Sequence, residues 1–183
     1  MKIFIVGCAK SGTTLLQRLF YSFDNVEVVL GESSLGKAAQ SDNNGVKVFK
    51  RTHSSIFSHK MPNRDIERQI QYSKDYGINL IYVKRNMKDV LRSSGGIVSE
   101  DRYNACEYQL RRFGDNLDFR VMYEGLINYN TSNKIQDKLA RKFGLRIGHR
   151  FTDYPDFVPD EAFDLIDDPA YSKRKLGAPY RPA

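Results

Sequence analysis

Tryptophan is absent from this 183-residue chain, and cysteine, histidine and proline number only two, three and six. Cys8 and Cys106 lie far apart and outside any C-x-x-C pattern, so neither a zinc ribbon nor a disulfide framework is expected. A reducing, cytoplasmic setting follows from that expectation. His53, His59 and His149 stand at no metal-ligand spacing, and no metal is implied. No apolar stretch approaches the length needed to span a bilayer, so no membrane partner is expected. The opening MKIFIVG has one basic residue and an apolar run of four, shorter than a signal-peptide core, and reads as a first strand.

What the chain does have is an ordinary globular composition: 40% hydrophobic residues, with eleven Tyr and eleven Phe. That is enough apolar area to offset the conformational entropy lost on folding. The length suits one buried core and is short for two, so residues 1–183 are expected to form a single domain. A net charge of +7 favours an anionic partner without choosing among nucleic acid, a membrane surface and a phosphorylated small molecule.

Short β-rich runs occur at 3–6, 26–30, 46–49, 80–83 and 119–123, separated by segments of helical character. Such alternation predicts an α/β fold of three layers, with a mostly parallel central sheet covered on both faces. Leu15, Leu16, Leu19, Phe20 and Phe23 mark the first helix, which Thr13 or Thr14 can cap. Tyr103, Cys106, Leu110 and Phe113 mark a second, and Ile135, Leu139 and Phe143 a third that stops at Gly144. Residues 31–45, rich in Gly, Ser and Asn, and the tail from 149, with five of the six prolines, read as irregular segments that line or cover a site.

Between the first strand and the first helix lies Gly7-Cys8-Ala9-Lys10-Ser11-Gly12-Thr13-Thr14. A tight strand-to-helix turn gathers backbone N–H groups that favour an anion. Gly12 permits close approach, the hydroxyls of Ser11, Thr13 and Thr14 can donate to phosphate oxygens, and Lys10 brings a full charge. Gly7 and Gly12 have the spacing of a Walker A loop, but Thr13 stands where that motif needs its lysine, which weakens a nucleotide kinase or NTPase reading. A second anion site is suggested by LIYVKRNMKDVLRSS, where Arg85 leaves a strand and a helix starting near Asn86 or Met87 brings Ser93 back two turns later. Lys88 and Arg92 read as a solvated basic helix face.

Taken together, KSGTT and YVKRNMKDVLRSS resemble the phosphate-binding elements of sulfotransferases that use 3′-phosphoadenosine 5′-phosphosulfate (PAPS), whose functional Arg and Ser are eight apart, as Arg85 and Ser93 are. The resemblance implies a P-loop-like α/β fold. It implies that Lys10, Ser11, Gly12, Thr13 and Thr14 hold the 5′-phosphosulfate, with Lys10 near the bridging oxygen, and that Arg85 and Ser93 hold the 3′-phosphate. Further echoes run along the chain. KVFKRTH is similar to the strand that supplies the family's catalytic histidine, here His53, with Arg51 in place of the usual lysine. FRVMYEGL resembles the strand whose tyrosine, here Tyr123, lies near the adenine. In the tail, RKLG resembles the Arg-Lys-Gly segment that closes over the 3′-phosphate, which implies Arg174, Lys175 and Gly177, with Leu176 an insertion. Leu15 departs from the aromatic that cytosolic members often carry there.

The implied reaction is in-line transfer of a sulfuryl group to a hydroxyl or amine, with release of 3′,5′-adenosine bisphosphate (PAP) and no metal. His53 is the favoured base because an unperturbed imidazole titrates near working pH, at about 6.5. Glu32, in GESS after the second strand, is the competitor by similarity to the tyrosylprotein-type members. The acceptor is expected to be a small molecule or an exposed group held by loops 31–45, 54–63 and 95–105. A nucleic-acid-binding protein is disfavoured because no basic stripe is interleaved with aromatics, while a PAP-binding relative without turnover shares the same motifs.

Overall fold

A computed structural model describes residues 1–52 and 64–153 of the chain. Five strands form one parallel sheet: β1 (Lys2–Gly7), β2 (Val26–Glu32), β3 (Val46–Thr52), β4 (Ile78–Lys84) and β5 (Phe119–Met122), in the order β2-β3-β1-β4-β5. Every expected strand is present, and their compositions follow their places. The interior strand β1 is buried along its whole length, whereas the edge strands β2 and β5 leave charged residues such as Glu27 and Arg120 in solvent. Strands covered on both faces require continuous apolar runs; edge strands do not.

Alternation along β1 divides the core in two. Phe4, Val6 and Cys8 join Leu80 and Tyr82 on one face, beneath α4 (Met87–Ser93) and α5 (Glu100–Arg111), which contribute Val90, Tyr103, Cys106 and Leu110. Ile3 and Ile5 join Val48, Ile81 and Val83 on the other, beneath α1 (Thr13–Leu19) and α7 (Tyr129–Phe143), which contribute Leu16, Leu19, Leu139 and Phe143. Each such side chain contributes about 1.5–3 kcal/mol on burial. The third expected helix ends as its sequence predicts, at Gly144 with φ 63°. The short helix α6 (Tyr123–Ile127) follows β5 directly, so Tyr123 opens a helix and does not close the strand.

Three expectations are corrected. Residues 31–45 are not wholly irregular: Ser34 accepts a hydrogen bond from Lys37 N and caps α2 (Leu35–Gln40), whose Ala38 and Ala39 enter the core. The cap of α1 is Gly12 and neither threonine, because that position has φ 94°, which glycine adopts without strain. Cys8 and Cys106 form a disulfide, their Cα atoms 6.0 Å apart, so the compartment argument built on unlinked thiols falls away. A helix that the sequence reading did not name, α3 (Arg64–Asp75), precedes β4 and packs Ile70 and Tyr72 against the core.

The connectivity fixes where a ligand fits. From β1 the chain leaves toward α1 on one face; from the neighbouring β4 it leaves toward α4 on the other. Adjacent strands whose connections part in this way open a crevice at their carboxyl ends, where open α/β sheets bind ligands.

Candidate functional site

The first wall of the crevice is the loop after β1. Ser11 N–H closes a turn onto Cys8 O at 3.1 Å, and Lys10 takes a left-handed conformation with φ 63°, the one non-glycine among the described residues with positive φ. Such backbone costs about 1–2 kcal/mol for a residue with a Cβ. Alternating turns of this kind aim successive N–H groups into a common concavity. Both glycines are required sterically. A Cβ at Gly7 would meet Val83 O at 2.7 Å and Thr13 Cγ2 at 2.9 Å, and one at Gly12 would enter the ring of Tyr123. The Lys10 side chain is exposed, whereas Ser11 is 1% exposed. The Ser11 hydroxyl is buried with no hydrogen-bond partner among the described residues. A buried hydroxyl left in that state costs free energy that a ligand oxygen would recover. Thr13, at the Walker lysine's position, is buried as the first residue of α1, and Thr14 is exposed.

The second wall is the end of β4. Arg85 is 6% exposed, and its Nη1 donates both to Ser93 Oγ at 2.9 Å and to the carbonyl of Lys10 at 3.1 Å. The eight-residue spacing read from the sequence is therefore a direct bond across one helix, α4. Asn86 caps that helix by accepting from Lys88 N–H at 2.9 Å, and Glu124 Oε1 accepts from Asn86 N–H at 2.8 Å. Lys88 and Arg92 are exposed, as expected of a solvated face, with Arg92 3.4 Å from Asp89. The guanidinium of Arg85 lies over the ring of Tyr123, 4.3 Å from its centroid. The Tyr103 hydroxyl donates to Arg85 O at 2.7 Å; burial first, then the nearby carboxylates of Glu107 and Glu124, push its pKa up to about 12. Tyr103 and Glu124 thus brace the Arg85 end of the site, though sequence reading passed over that role. Tyr103 had shown only as part of an apolar stripe.

The candidate bases fare differently. Glu32 ends β2, pairs in register with Lys50 after an irregularity in the strand, and places Oε1 2.6 Å from Lys50 Nζ. Its carboxylate is half exposed while the lysine is buried, so protonating Glu32 would leave a buried ammonium without that partner. β3 runs to Thr52, whose Cα pairs with Gly7 at the start of the loop, so the chain reaches residue 52 beside the crevice. His53 itself lies outside the described residues, as do His59, Arg174, Lys175 and Gly177. His149 is exposed beside Ser22, before β2 and so at the amino edge of the sheet, away from the loop.

The crevice therefore unites Lys10, Ser11, Gly12, Arg85, Ser93 and Tyr123 in one place. Solved structures share this architecture. Mouse sulfotransferase SULT7A1, determined in complex with PAP, superposes with a TM-score of 0.52 at 16% identity over 81% of this chain and 60% of that one. The likeness is one of fold. A tunicamycin resistance protein from Deinococcus radiodurans superposes with a TM-score of 0.50 at 14% identity, over 81% of this chain and 99% of that one. The chain spans 60% of the length of the mouse sulfotransferase chain it matches. Neither the family models nor the curated sequences contain a match. The fold class is thus sulfotransferase-like α/β, and among the described residues no helix is long and apolar enough to cross a membrane.

Proposed function

We propose that the chain is a PAPS-dependent sulfotransferase, moving the sulfuryl group to a hydroxyl or amine of a small-molecule or exposed acceptor and leaving PAP. One observation carries the reading: Arg85 bonds both Ser93 and the Lys10 carbonyl, so the two motifs form a single site with two separate cationic corners. A nucleotide with phosphates on both the 5′ and 3′ positions needs that division. The mouse sulfotransferase of the same fold was solved with such a molecule, PAP.

The residues present fit the group. Ser11 supplies a buried hydroxyl with unused hydrogen-bonding capacity, and Gly7 and Gly12 keep the loop free of Cβ atoms where the backbone must close around an anion. When bound, PAPS supplies an activated sulfuryl group and a phosphate leaving group. Lys10 and the loop N–H groups would hold the 5′-side oxygens, and the Lys10 ammonium would stabilise negative charge at the bridging oxygen. Arg85 and Ser93 would hold the 3′-phosphate, and Arg174, Lys175 and Gly177 would close over it. His53 is the proposed base, because Glu32 is committed to Lys50. No metal enters this scheme, since the charge neutralisation is provided by side chains and loop amides.

A sulfuryl-transfer assay with labelled PAPS and a panel of phenolic and amine acceptors separates the two bases. His53→Ala is expected to abolish turnover while PAP still binds. Loss of turnover in Glu32→Ala with His53→Ala fully active would reverse the assignment.

A further inference from the structure

We infer that Tyr123 is a positioning residue that seats Arg85 and links the two corners of the site, so that the protein selects nucleotides carrying a 3′-phosphate. The inference rests on the PAPS reading and gives Tyr123 a role distinct from the adenine contact that sequence resemblance implies. Tyr123 is 8% exposed, and one part of its ring is covered by the Arg85 guanidinium 4.3 Å from the centroid. Another part lies so close to Gly12 that a single methyl group on that glycine would collide with Cδ2 and Cε2. The ring is thus wedged between the phosphate loop and the second corner.

That placement answers a physical need. Arg is long and loses much rotamer freedom when buried, and its planar head must be presented in one orientation to grip a phosphate. Hydrogen bonds from Nη1 to Ser93 Oγ and to the Lys10 carbonyl hold the guanidinium from one end. A flat aromatic face restrains it, and attracts the cation through the ring quadrupole. The neighbouring Glu124 holds Asn86 N–H at 2.8 Å, so successive residues at the start of α6 brace successive residues at the end of β4. Because the same ring rests on Gly12, movement of the loop is transmitted to Arg85. Tyr123 is therefore the contact through which the separation of the two corners is set.

The test is titration calorimetry of the full chain with PAP and with adenosine 5′-monophosphate, which lacks the 3′-phosphate. Tyr123→Leu is expected to weaken PAP about tenfold and leave the monophosphate within about twofold, while Tyr123→Phe, which keeps the face, retains both affinities. In an Arg85→Ala background Tyr123→Leu should add nothing further, since the two act as a unit. Pentafluorophenylalanine at position 123 preserves the packing and inverts the quadrupole, and should weaken PAP alone by severalfold. Equal losses for both nucleotides would overturn the inference in favour of an adenine contact, as would an unaltered PAP affinity in the fluorinated protein. Absence of PAP binding by the unmodified chain would overturn the sulfotransferase reading itself, and this inference with it.

Discussion

The loop from Gly7 to Thr14 makes its cradle from backbone, with one left-handed lysine and a buried serine hydroxyl that no described group satisfies. The corner at Arg85 and Ser93 is instead assembled from side chains that already bond one another, braced by Tyr103, Tyr123 and Glu124. Each corner keeps a buried oxygen without a hydrogen-bond partner among the described residues, Ser11 Oγ in the loop and Glu124 Oε2 beside the anchor. The loop alone holds a non-glycine residue in left-handed backbone, while the anchor is braced side chain to side chain. Such a contrast suits a site in which the first corner must tighten around charge that develops during transfer, while the second only anchors. Substitutions should therefore separate stability from activity in the loop and leave them coupled in the anchor.

The largest effect is expected at Lys10. Lys10→Gly removes the ammonium and is expected to lower turnover by about 10²–10³-fold, the range seen for loss of one transition-state donor. Because glycine accepts φ 63°, the same variant should be more stable by up to about 1 kcal/mol in denaturant unfolding. A parallel fall in both quantities would erase the contrast between the corners. Next in size is Gly12→Ala, where a left-handed residue and a collision with Tyr123 combine. A loss of about 2–4 kcal/mol is expected, visible as a lowered unfolding midpoint.

The smallest effect concerns pH and sharpens the account of the anchor. Tyr103 ionises at 10.0 in the ordinary case and about 12 here. The folded protein thus holds that proton more tightly than the unfolded chain, and the associated stability is present in full below pH 10 and lost as pH rises toward 12. Tyr82, buried and donating to Glu107, is shifted in the same direction. Absorbance at the tyrosinate band, followed with circular dichroism, should show the last tyrosines ionising together with unfolding. Titration of every tyrosine near pH 10 with the fold intact would contradict this.

Much of this was legible in the sequence, for reasons tied to particular residues. The five strands were visible because buried parallel strands need unbroken apolar runs such as Ile3 to Val6 and Leu80 to Val83. Gly7, Gly12, Arg85 and Ser93 were visible because each pair works through fixed local spacing. Partners made by long-range packing were not. Cys8 and Cys106 are 98 residues apart, and nothing in that interval encodes their meeting. Tyr103 looked like any apolar stripe residue, since its hydroxyl finds Arg85 O only once α5 packs on the sheet. The helix from Leu35 to Gln40 was hidden by a Gly- and Ser-rich composition, although Ser34 was its cap. Glu32 read as a candidate base just past the second strand, and only strand register set it beside Lys50.

Isothermal titration of the chain with PAP and with ADP tests the central claim most directly. A site with two separate corners should bind PAP clearly more tightly than ADP, without any requirement for Mg²⁺. Equal affinity for the two, or a preference for ADP that strengthens with Mg²⁺, would contradict it.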